Sequence, residues 1–418
     1  MLQSKLSNFI RKEFPKDEEA YNAQILIRAG FIDKLMAGVY SYLPLGLRVI
    51  KRIEKIVRQR MDEIGAQELL MPVLHPKENW QKTGRWEKLD VLFKVKAQED
   101  KEYALGPTHE EIIVPLSQKT IFSYKDLPFG LYQIQTKLRN EPRAKSGILR
   151  GREFIMKDLY SFHTNEESLN EYYQMVEGAY AKIFNDFGIG DITVKTYSSG
   201  GSFSKYSHEF QTILENGEDT IYVCQKCRVA VNREIIEEQK SCPVCQSTNL
   251  EETKASETAN IFKLMTKYSD PFQLSFKDSN GENKNVIMGC YGMGISRIMG
   301  ILAEIFHDEK GLIWPKSVAP FNVHLIVLHS KDEESNKDIL KLAQKVYDEL
   351  NQMGVETLYD DRVDKSPGEK FAESDLIGIP VRLVVSQKTN GKIEFKLRNS
   401  QNTEIIDFSD LTKYVKNK

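Results

Sequence analysis

Four of the chain's five cysteines lie within one short window, as two Cys-x-x-Cys pairs separated by 14 residues: Cys224, Cys227, Cys242 and Cys245. Each pair can place two thiolates on a tight turn, and two such pairs complete a tetrahedral four-sulfur site of the kind that zinc prefers. We therefore predict a structural zinc site, with no open coordination position, in a small zinc-ribbon-like insert over residues 218–256. The alternative is four incidental reduced thiols.

The overall composition narrows the class of protein. The chain has 418 residues, with 58 basic and 60 acidic side chains, which suits two or three domains and excludes a simple polycationic nucleic-acid coat. No apolar run approaches the ~18 residues needed to span a bilayer, so no membrane partner is expected. Few cysteines, gathered in one cluster, favour a reducing, cytoplasmic setting. Met1–Phe14 is interpreted as an ordinary N-terminal helix, with a mitochondrial-type presequence as the alternative.

Hydrophobic patterning divides the chain into a large N-terminal region and a smaller C-terminal region. Pro315 and Pro320 mark the boundary, beyond which strand and helix patterns alternate as in a small α/β domain. We place the domains at residues 1–317 and 318–418. Within the first, residues 46–64 have the period of an amphipathic helix.

Strict alternation over Leu131–Glu141 predicts a strand with Arg139 and Glu141 on one face. A polar, basic loop follows, and a returning strand would bring Arg152 and Phe154 to the same cleft. Arginine suits a phosphate or carboxylate, and glutamate can accept from an amino group. Taken alone, however, the two charges are more typical of a surface ion pair.

Two further segments each have a ligand-binding and a purely structural interpretation. Thr108 and Glu110 could offer a hydroxyl and a carboxylate to an ammonium group, although their spacing alone favours a helix N-terminus with an acidic first turn. Gly292-Met293-Gly294 precedes a helix that carries Arg297. This pattern would suit an extended polyphosphate, and a purely structural glycine turn is the alternative.

In order along the chain, these segments resemble the three signature motifs of class II aminoacyl-tRNA synthetases. The motifs correspond to Gly65–Pro72, to Lys137–Glu141 with Arg150–Phe154, and to Gly292–Arg297. The wording is closest to bacterial-type prolyl-tRNA synthetases in ALGPTHEE at 104–111, GREFIMKD at 151–158 and MGCYGMGISR at 288–297. The resemblance continues into the C-terminal region, at YDDR (359–362) and LIGIP (376–380).

The resemblance implies both a fold and a reaction. The fold is an α+β class II catalytic domain, in which helices flank an antiparallel sheet, followed by a C-terminal α/β anticodon-binding domain. The reaction activates L-proline with ATP and Mg²⁺ to prolyl-adenylate, and then transfers the prolyl group to the 3′ end of tRNA(Pro); the family also implies a homodimer. A catalytically inactive paralogue that binds tRNA or a protein partner is the alternative. A zinc-ribbon nucleic-acid factor would explain only about twenty residues.

Specific residues inherit roles from this resemblance. Thr108 and Glu110 would accept from proline's ammonium group, and Arg139 would bridge the proline carboxylate and the α-phosphate. In the C-terminal domain, Arg362 and Lys370 are the candidates for anticodon contacts.

The resemblance also assigns an ATP site. Glu141 would accept from the adenine amino group, and Phe154 would stack on the ring. Arg297 would hold the γ-phosphate with help from Arg152, while Gly294 lies in the same site. Arg139 and Arg297 are therefore the predicted catalytic residues.

The chain departs from the family pattern in three places. Leu138 and Asn140 replace the usual Phe and Asp around Arg139, and Ala259-Asn260 replaces a common Gly-His. Between the second and third motifs there is room only for the cysteine-bearing insert, where many relatives carry a domain that hydrolyses alanyl-tRNA. We expect no such editing by this chain, and hence a separate trans-acting deacylase.

Overall fold

A computed structural model describes residues 1–7, 9–144, 146–201 and 206–416. The chain forms two compact units. The large unit comprises Met36–Tyr40 and Ile53–Ile301, and the small unit comprises Met1–Leu35, Ser41–Arg52 and Leu302–Lys418. This division differs from the predicted boundary between residues 317 and 318, because N-terminal segments belong to the same unit as the C-terminal region.

The helices are α1 Tyr21–Arg28, α2 Pro44–Glu63, α3 Lys77–Lys82, α4 Arg85–Lys88, α5 Glu110–Ser117, α6 Glu166–Asp186, α7 Ser269–Phe272, α8 Ile295–Ile305, α9 Glu333–Gln352, α10 Pro367–Ile377 and α11 Leu411–Lys416. The strands are β1 Ile32–Met36, β2 Val39–Tyr42, β3 Gln67–Glu68, β4 Leu74–Pro76, β5 Phe93–Lys96, β6 Glu102–Leu105, β7 Phe129–Leu138, β8 Glu153–His163, β9 Thr193–Ser199, β10 Tyr206–Ile213, β11 Asp219–Cys224, β12 Ala230–Asn232, β13 Leu250–Met265, β14 Ser275–Lys277, β15 Asn283–Asn285, β16 Ile287–Gly294, β17 His307–Asp308, β18 Gly311–Leu312, β19 Val323–Val327, β20 Thr357–Asp360, β21 Val381–Val385, β22 Ile393–Leu397 and β23 Thr403–Ile406. Within the described ranges, no helix combines the length and the apolar character needed to cross a membrane.

A nine-stranded sheet organises the large unit, in the order β10-β9-β12-β11-β13-β16-β8-β7-β3. Its centre is antiparallel, with β7, β8, β16 and β13 paired in succession. The predicted alternation along β7 is confirmed. Gln133 donates to Asp158 across one face of the sheet, whereas the hydroxyl of Tyr132 donates to Asp62 on the other face. The strand ends at Leu138, three residues before the predicted end at Glu141. Arg139 N still donates to Arg152 O at 2.8 Å, so the alternation extends to Arg139 and not to Glu141.

The strands around the cysteines form a closed ring at one edge of this sheet. In addition to the order above, β10 pairs with β13, so that β10, β9, β12, β11 and β13 enclose a small core. That core consists of Val194, Ile221, Val223, Ala230 and Ala255. The predicted insert over residues 218–256 is thus continuous with the main sheet, because β11, β12 and the beginning of β13 all lie within it.

The glycines of the third motif adopt a different conformation from the predicted turn. Strand β16 continues through Gly292 and Gly294, and α8 begins at Ile295. The side chains packed on this junction are close, because a Cβ on Gly292 would lie 2.4 Å from Met156 Cε and 2.6 Å from Asn260 Oδ1, so both side chains would have to shift to admit it. The motif is therefore a strand-to-helix junction and not a dinucleotide-type loop.

The small unit is built on a five-stranded sheet in the order β20-β19-β21-β22-β23. Strands β20, β19 and β21 are parallel, as the predicted alternation of strand and helix implies, and β22 and β23 are antiparallel additions. The expectation of an N-terminal helix over Met1–Phe14 is wrong for the residues described there. Leu2 pairs with Tyr359, and the backbone and hydroxyl of Ser4 donate to Asp361 at 2.9 and 2.6 Å, so that hydrogen bonds to the β20 region replace those of a helix.

Candidate active site

A cleft of about 230 Å³ opens on the large unit at the junction of the second and third motifs. It is lined by Arg139, Glu141, Ile148, Leu149, Arg150, Gly151, Phe154, Met156, Glu209, Glu218, Asp219, Asn232, Glu234, Glu257, Thr258, Ala259, Asn260, Gly292, Gly294 and Arg297. The structure therefore brings together all of the predicted ATP-binding residues except Arg152.

Arg139 lies within the cleft without a carboxylate partner. Its Nε and Nη2 atoms lie 3.4 Å from the carbonyl oxygen of Pro107, and its guanidinium lies 5.1 Å from the ring centroid of Phe154. Among the described residues, no carboxylate oxygen lies within 4.0 Å of it, so the predicted surface ion pair with Glu141 is not formed. Burial lowers the pKa of Arg139, but arginine keeps its charge over the working range of proteins. A positive group is thus available here for an anion.

Glu141 instead pairs with Arg150, whose Nε and Nη2 atoms each lie 3.0 Å from Glu141 Oε2. The Arg152 guanidinium donates to the carbonyl oxygens of Glu141 and Ala37, both at 3.0 Å. Arg152 therefore holds the backbone behind the cleft, while Arg150 lines it. Sequence reasoning missed Arg150, although it belongs to the same basic loop.

Arg297 is anchored from two directions. Its Nη1 atom lies 3.1 Å from Glu257 Oε2, and its Nε donates to the carbonyl oxygen of Leu149 at 2.7 Å. Asn260 fixes Glu257 in turn, because its Nδ2 donates to Glu257 Oε1 at 2.7 Å while its Oδ1 accepts from Gly292 N at 3.2 Å. Burial alone would raise the pKa of Glu257, but Arg297 lowers it, so the pair is ionised. The departure at Asn260 thus belongs to the arrangement that holds Glu257.

Opposite these arginines, four carboxylates form what we call the acidic wall: Glu209, Glu218, Asp219 and Glu257. Burial raises the pKa of Glu218 and Asp219, and burial together with the charge of Glu257 raises the pKa of Glu209 to about 8. Glu218 Oε2 is buried and has no hydrogen-bond partner among the described residues. No sequence motif indicates this wall, because Glu209 and Glu257 lie far in sequence from the adjacent Glu218 and Asp219.

Thr108 and Glu110 do not line this cleft and belong to a separate, buried cluster of polar side chains, which we call the buried pocket. The hydroxyl of Thr108 donates to Glu110 Oε2 at 2.6 Å, and the thiol of Cys290 lies 3.5 Å from Glu110 Oε1. Arg85 Nη1 lies 3.3 Å from Glu110 and 3.0 Å from Glu111, both of which are completely buried. The alternative of a helix N-terminus with an acidic first turn is also confirmed, since α5 begins at Glu110 with Glu110 and Glu111 in its first turn, although no side chain caps it. Arg85 had not been identified from the sequence.

A network of charged and polar side chains packs against the residues next to Thr108. Lys137 Nζ lies 2.7 Å from Asp158 and 2.8 Å from His109 Nδ1. Burial lowers the pKa of His109 to about 3, so this imidazole is neutral. Lys137 then donates to Nδ1, and Nε2–H donates to the carbonyl oxygen of Pro72 at 3.0 Å. The loop that carries Thr108 and Glu110 is therefore fixed before any substrate arrives.

The four clustered cysteines converge on one point. Their sulfur atoms all lie within 4.8 Å of one another, with Cys224–Cys245 at 3.5 Å and Cys227–Cys242 at 3.4 Å. Tetrahedral zinc with Zn–S bonds of ~2.3 Å requires sulfurs about 3.8 Å apart. The donor set and spacing therefore fit a zinc ion.

The anticodon candidates both take part in ion pairs within the small unit. Arg362 lies 2.7 Å from both Asp360 and Glu373. Lys370 is 1% exposed, donates to the carbonyl oxygen of Val327 at 2.8 Å and lies 3.6 Å from Asp360. These contacts stabilise the unit, and burial of the Lys370 amine disfavours direct contact with RNA.

Comparison with known proteins gives consistent results for both halves of the chain. Residues 93–306 match the tRNA synthetase class II core domain (G, H, P, S and T), and residues 322–418 match the anticodon binding domain. The chain is 34% identical to the proline–tRNA ligase of Sulfurihydrogenibium sp. over 557 aligned residues, which cover 97% of this chain and 98% of the relative. It is also 34% identical to that of Persephonella marina, with the same coverage.

Solved structures with the same fold have lower identity. A Giardia lamblia prolyl-tRNA synthetase in complex with prolyl-adenylate has a TM-score of 0.78 at 21% identity, over 94% of this chain and 75% of that one. A Cryptosporidium parvum prolyl-tRNA synthetase complexed with L-proline and AMP has a TM-score of 0.76 at 20% identity, over 95% and 75%.

Proposed function

The chain belongs to the proline–tRNA ligases of class II, and we propose that its buried pocket holds L-proline while its cleft holds ATP. The observation that carries this assignment is the position of Arg139. Its guanidinium contacts the carbonyl oxygen of Pro107, directly before Thr108, and also lines the cleft, with no carboxylate partner among the described residues. It is therefore placed to bind an anion shared by the two sites.

Adenylate formation then follows from charge placement. Glu110 and Thr108 accept from proline's ammonium group, which leaves the proline carboxylate facing Arg139. A carboxylate oxygen attacks the α-phosphorus, the bond from that phosphorus to the bridging oxygen breaks, and pyrophosphate leaves. Arg139 stabilises the negative charge that develops on the α-phosphate. No protein nucleophile or general base is required, because positioning and electrostatics suffice.

The second step transfers the activated amino acid. A hydroxyl of the terminal ribose of tRNA(Pro) attacks the prolyl carbonyl carbon, and the ester to the tRNA forms. The bond from that carbon to the phosphate oxygen breaks, and AMP departs with the hydroxyl proton on its phosphate. Arg139 again neutralises the phosphate of the leaving AMP.

For ATP we retain the predicted contacts, with one addition. Glu141 accepts from the adenine amino group, Phe154 stacks on the ring, and Arg297 binds the terminal phosphate next to Gly294. Arg150, which lines the cleft, joins this set as a second phosphate ligand, whereas Arg152 maintains the backbone of Glu141.

Magnesium fits the acidic wall. This ion prefers oxygen ligands, and Glu218 Oε2 is a buried carboxylate oxygen with no partner among the described residues. Glu218 and Glu257 would hold the ion, which would neutralise phosphate charge when bound. Zinc would occupy the four-cysteine site, which leaves no coordination position open for a substrate. A site built of reduced thiols also supports our proposal of a cytoplasmic location.

We further propose that this chain does not edit alanyl-tRNA. The alignment with the Sulfurihydrogenibium relative spans 557 residues against 418 in this chain, so at least 139 positions of it have no residue here. A proline pocket rejects alanine only through lost contacts, worth about 1–3 kcal/mol per methylene. A trans-acting deacylase would then remove the misacylated product.

A homodimer is the proposed assembly. Leu70, in the first motif, is 73% exposed, and Phe122 and Leu74 are 66% and 52% exposed. Apolar side chains of this size near one motif are suited to burial against a second copy. Sedimentation velocity of the wild type and of Leu70→Glu tests this, since the variant should sediment as a monomer.

The decisive experiment is proline-dependent exchange of pyrophosphate into ATP, with alanine and cysteine measured alongside. We expect exchange with proline and weaker exchange with alanine, and its loss in Arg139→Ala. The alternative of an inactive paralogue, which no finding favours, predicts no exchange with any amino acid. Rapid hydrolysis of alanyl-tRNA by the purified chain would refute the editing proposal.

A further inference from the structure

We propose that the four-cysteine metal site controls nucleotide binding, by clamping the strand ring whose opposite end presents the acidic wall to the cleft. This inference rests on the proposed assignment of the cleft to ATP. It gives the cysteine cluster a role in binding that a purely structural metal site would not have.

The strands connect the two ends directly. In β11, Cys224 is the last residue and Asp219 the first, and five residues of strand separate them by about 17 Å. In β12, Ala230 pairs with Val223 near the metal end, and Asn232 pairs with Ile221 towards the cleft. All three strands that flank the cysteines therefore run from the metal site to the cleft, since β13 also passes from Leu250, opposite Cys224, to Glu257.

The metal end is the point at which these strands are joined. Cys227 lies in the turn between β11 and β12, and Cys242 and Cys245 precede β13. The pairing of β13 with β11 begins only at Leu250, opposite Cys224, next to the bond from Gln225 N to Asn249 O at 3.2 Å. The backbone bonds of Cys242, from Gln246 N at 2.9 Å and to Ser247 O at 2.8 Å, stay within the second cysteine turn. Four metal–sulfur bonds would therefore dominate the attachment of the second cysteine pair to β11.

The core of the ring is too small to replace that attachment. It contains Val194, Ile221, Val223, Ala230 and Ala255, two of which are alanines. Burial stabilises by about 0.8 kcal/mol per CH₂ group, whereas ordering costs 1–2 kcal/mol per residue for the backbone alone. Pairing of β13 with β16 ties the ring to the main sheet on one side, and the metal would add four bonds at its cysteine end. Loss of zinc should therefore loosen β11, β12 and the beginning of β13 together.

At the cleft end, hydrogen bonds connect carboxylates of the acidic wall to one another. Gln211 Nε2 donates to Glu209 at 2.9 Å and to Asp219 at 2.8 Å, and Asn232 Nδ2 donates to Glu209 at 3.3 Å. These contacts link β10, β11 and β12 through carboxylates of the wall. A shift of β11 would therefore displace the carboxylates that face the phosphates and their magnesium.

The proline pocket should be insensitive to the metal. Thr108, Glu110 and Arg85 lie on the β6–α5 segment and α4, outside the ring, and the Lys137–Asp158 network fixes the loop from β7 and β8. The proposal therefore predicts selective coupling, in which zinc affects ATP binding and leaves proline binding unchanged. General destabilisation would affect both ligands.

The first test uses the unaltered, zinc-loaded protein, in which ATP binding is first measured by calorimetry. Transfer of zinc to a chromophoric chelator is then followed alone, with a non-hydrolysable Mg·ATP analogue, and with L-proline. Coupling between two sites is reciprocal in binding free energy, so saturating nucleotide should raise the zinc affinity, read from the chelator competition at equilibrium, on the order of tenfold, and proline should leave it unchanged. Equal zinc affinities with and without bound nucleotide would overturn the inference. Failure of ATP to bind the loaded protein would instead overturn the proposed function, and the inference with it.

The second test uses a cysteine variant. Cys245→Ser should weaken zinc binding, raise the Kd for Mg·ATP on the order of tenfold and increase deuterium uptake over β11 and the beginning of β13, with an unchanged Kd for proline. The matched control is Val244→Ser, an exposed neighbour that should bind both ligands as the wild type does. Equal losses for both ligands, or unchanged ATP affinity in zinc-free protein, would contradict selective clamping. If the cysteine variant does not fold, the zinc-affinity measurement decides alone.

Discussion

Two neighbouring regions of the large unit hold their charges differently. In the buried pocket, Glu110 already has Thr108, Arg85 and Cys290 within contact distance. The neighbouring charges of Lys137 and Asp158 are paired with each other. In the cleft, Arg139 has no carboxylate partner, and Glu218 has an oxygen with no hydrogen bond, among the described residues. The pocket thus holds its shape without substrate. The cleft contains the Glu141–Arg150 and Glu257–Arg297 pairs, but it leaves Arg139 and one oxygen of Glu218 for a ligand to pair. Substitutions should therefore affect stability in the first region and ligand binding in the second.

The largest effect is expected from Arg85→Met. Removing one partner of a buried ion pair leaves Glu110 and Glu111 uncompensated, at a cost of about 3–5 kcal/mol. For a protein of this size the midpoint of thermal unfolding should fall by about 10 °C, as measured by calorimetry. The double variant Arg85→Met/Glu111→Gln should recover part of the loss. Equal stability of single and double variants would contradict the ion-pair explanation.

Arg139→Ala tests the cleft side of the comparison. Proline-dependent pyrophosphate exchange should fall about 100–1,000-fold, as expected when a donor to developing negative charge is removed. The unfolding midpoint should change little, because no ion pair is lost. The control is Arg143→Ala, which replaces an exposed arginine in the basic loop after Glu141 and should retain exchange. A large fall in thermal stability of Arg139→Ala would show that the two regions are not distinct in this way.

Glu218→Gln should act on magnesium and not on folding. Loss of one carboxylate ligand should raise the Mg²⁺ concentration for half-maximal exchange on the order of tenfold. Thermal stability should be unchanged or higher, since the substitution removes a buried charge whose Oε2 has no partner. The exposed Glu215→Gln provides a matched control. An unaltered Mg²⁺ requirement would remove Glu218 from the proposed metal ligands.

The smallest expected effect is a pH-dependent change in thermal stability on replacing Glu209. Burial raises the pKa of Glu209 to about 8 from an ordinary 4.5, so the folded protein binds this proton more tightly than the unfolded chain. The resulting stability is fully present below about pH 4.5 and is lost as the pH rises through about 8. Glu209→Gln cannot ionise and should unfold about 3 °C higher than the wild type at pH 9, but not at pH 5. Glu309→Gln, which is exposed, should show no such pH-dependent difference.

The sequence was informative where local periodicity and short motifs determine structure. Alternation along β7 predicted the face that carries Arg139, and the amphipathic pattern over 46–64 corresponds to α2, Pro44–Glu63. Spacing also predicted the convergence of the four cysteines. In each case, the residues that act together lie within about twenty positions of one another.

The features that sequence reasoning missed depend on contacts between distant segments. Arg85 meets Glu111 from a different helix, and Gln211 joins carboxylates of β10 and β11. Closure of the strand ring depends on pairing between β10 and β13, which no local pattern encodes. The N-terminal segment was misinterpreted for the same reason, because its hydrogen bonds are made with residues 359 and 361.

The small unit is assembled from segments that are far apart in sequence, and this affects how the chain folds as it is synthesised. Its segments Met1–Leu35 and Leu302–Lys418 lie on either side of the large unit in sequence. At about 5–20 residues per second, the first segment leaves the ribosome some 15–60 s before its partners exist. The large unit can fold in that interval, since nearly all of its residues emerge first. The small unit must wait for the end of translation, and its early segment is exposed to proteases and chaperones until then.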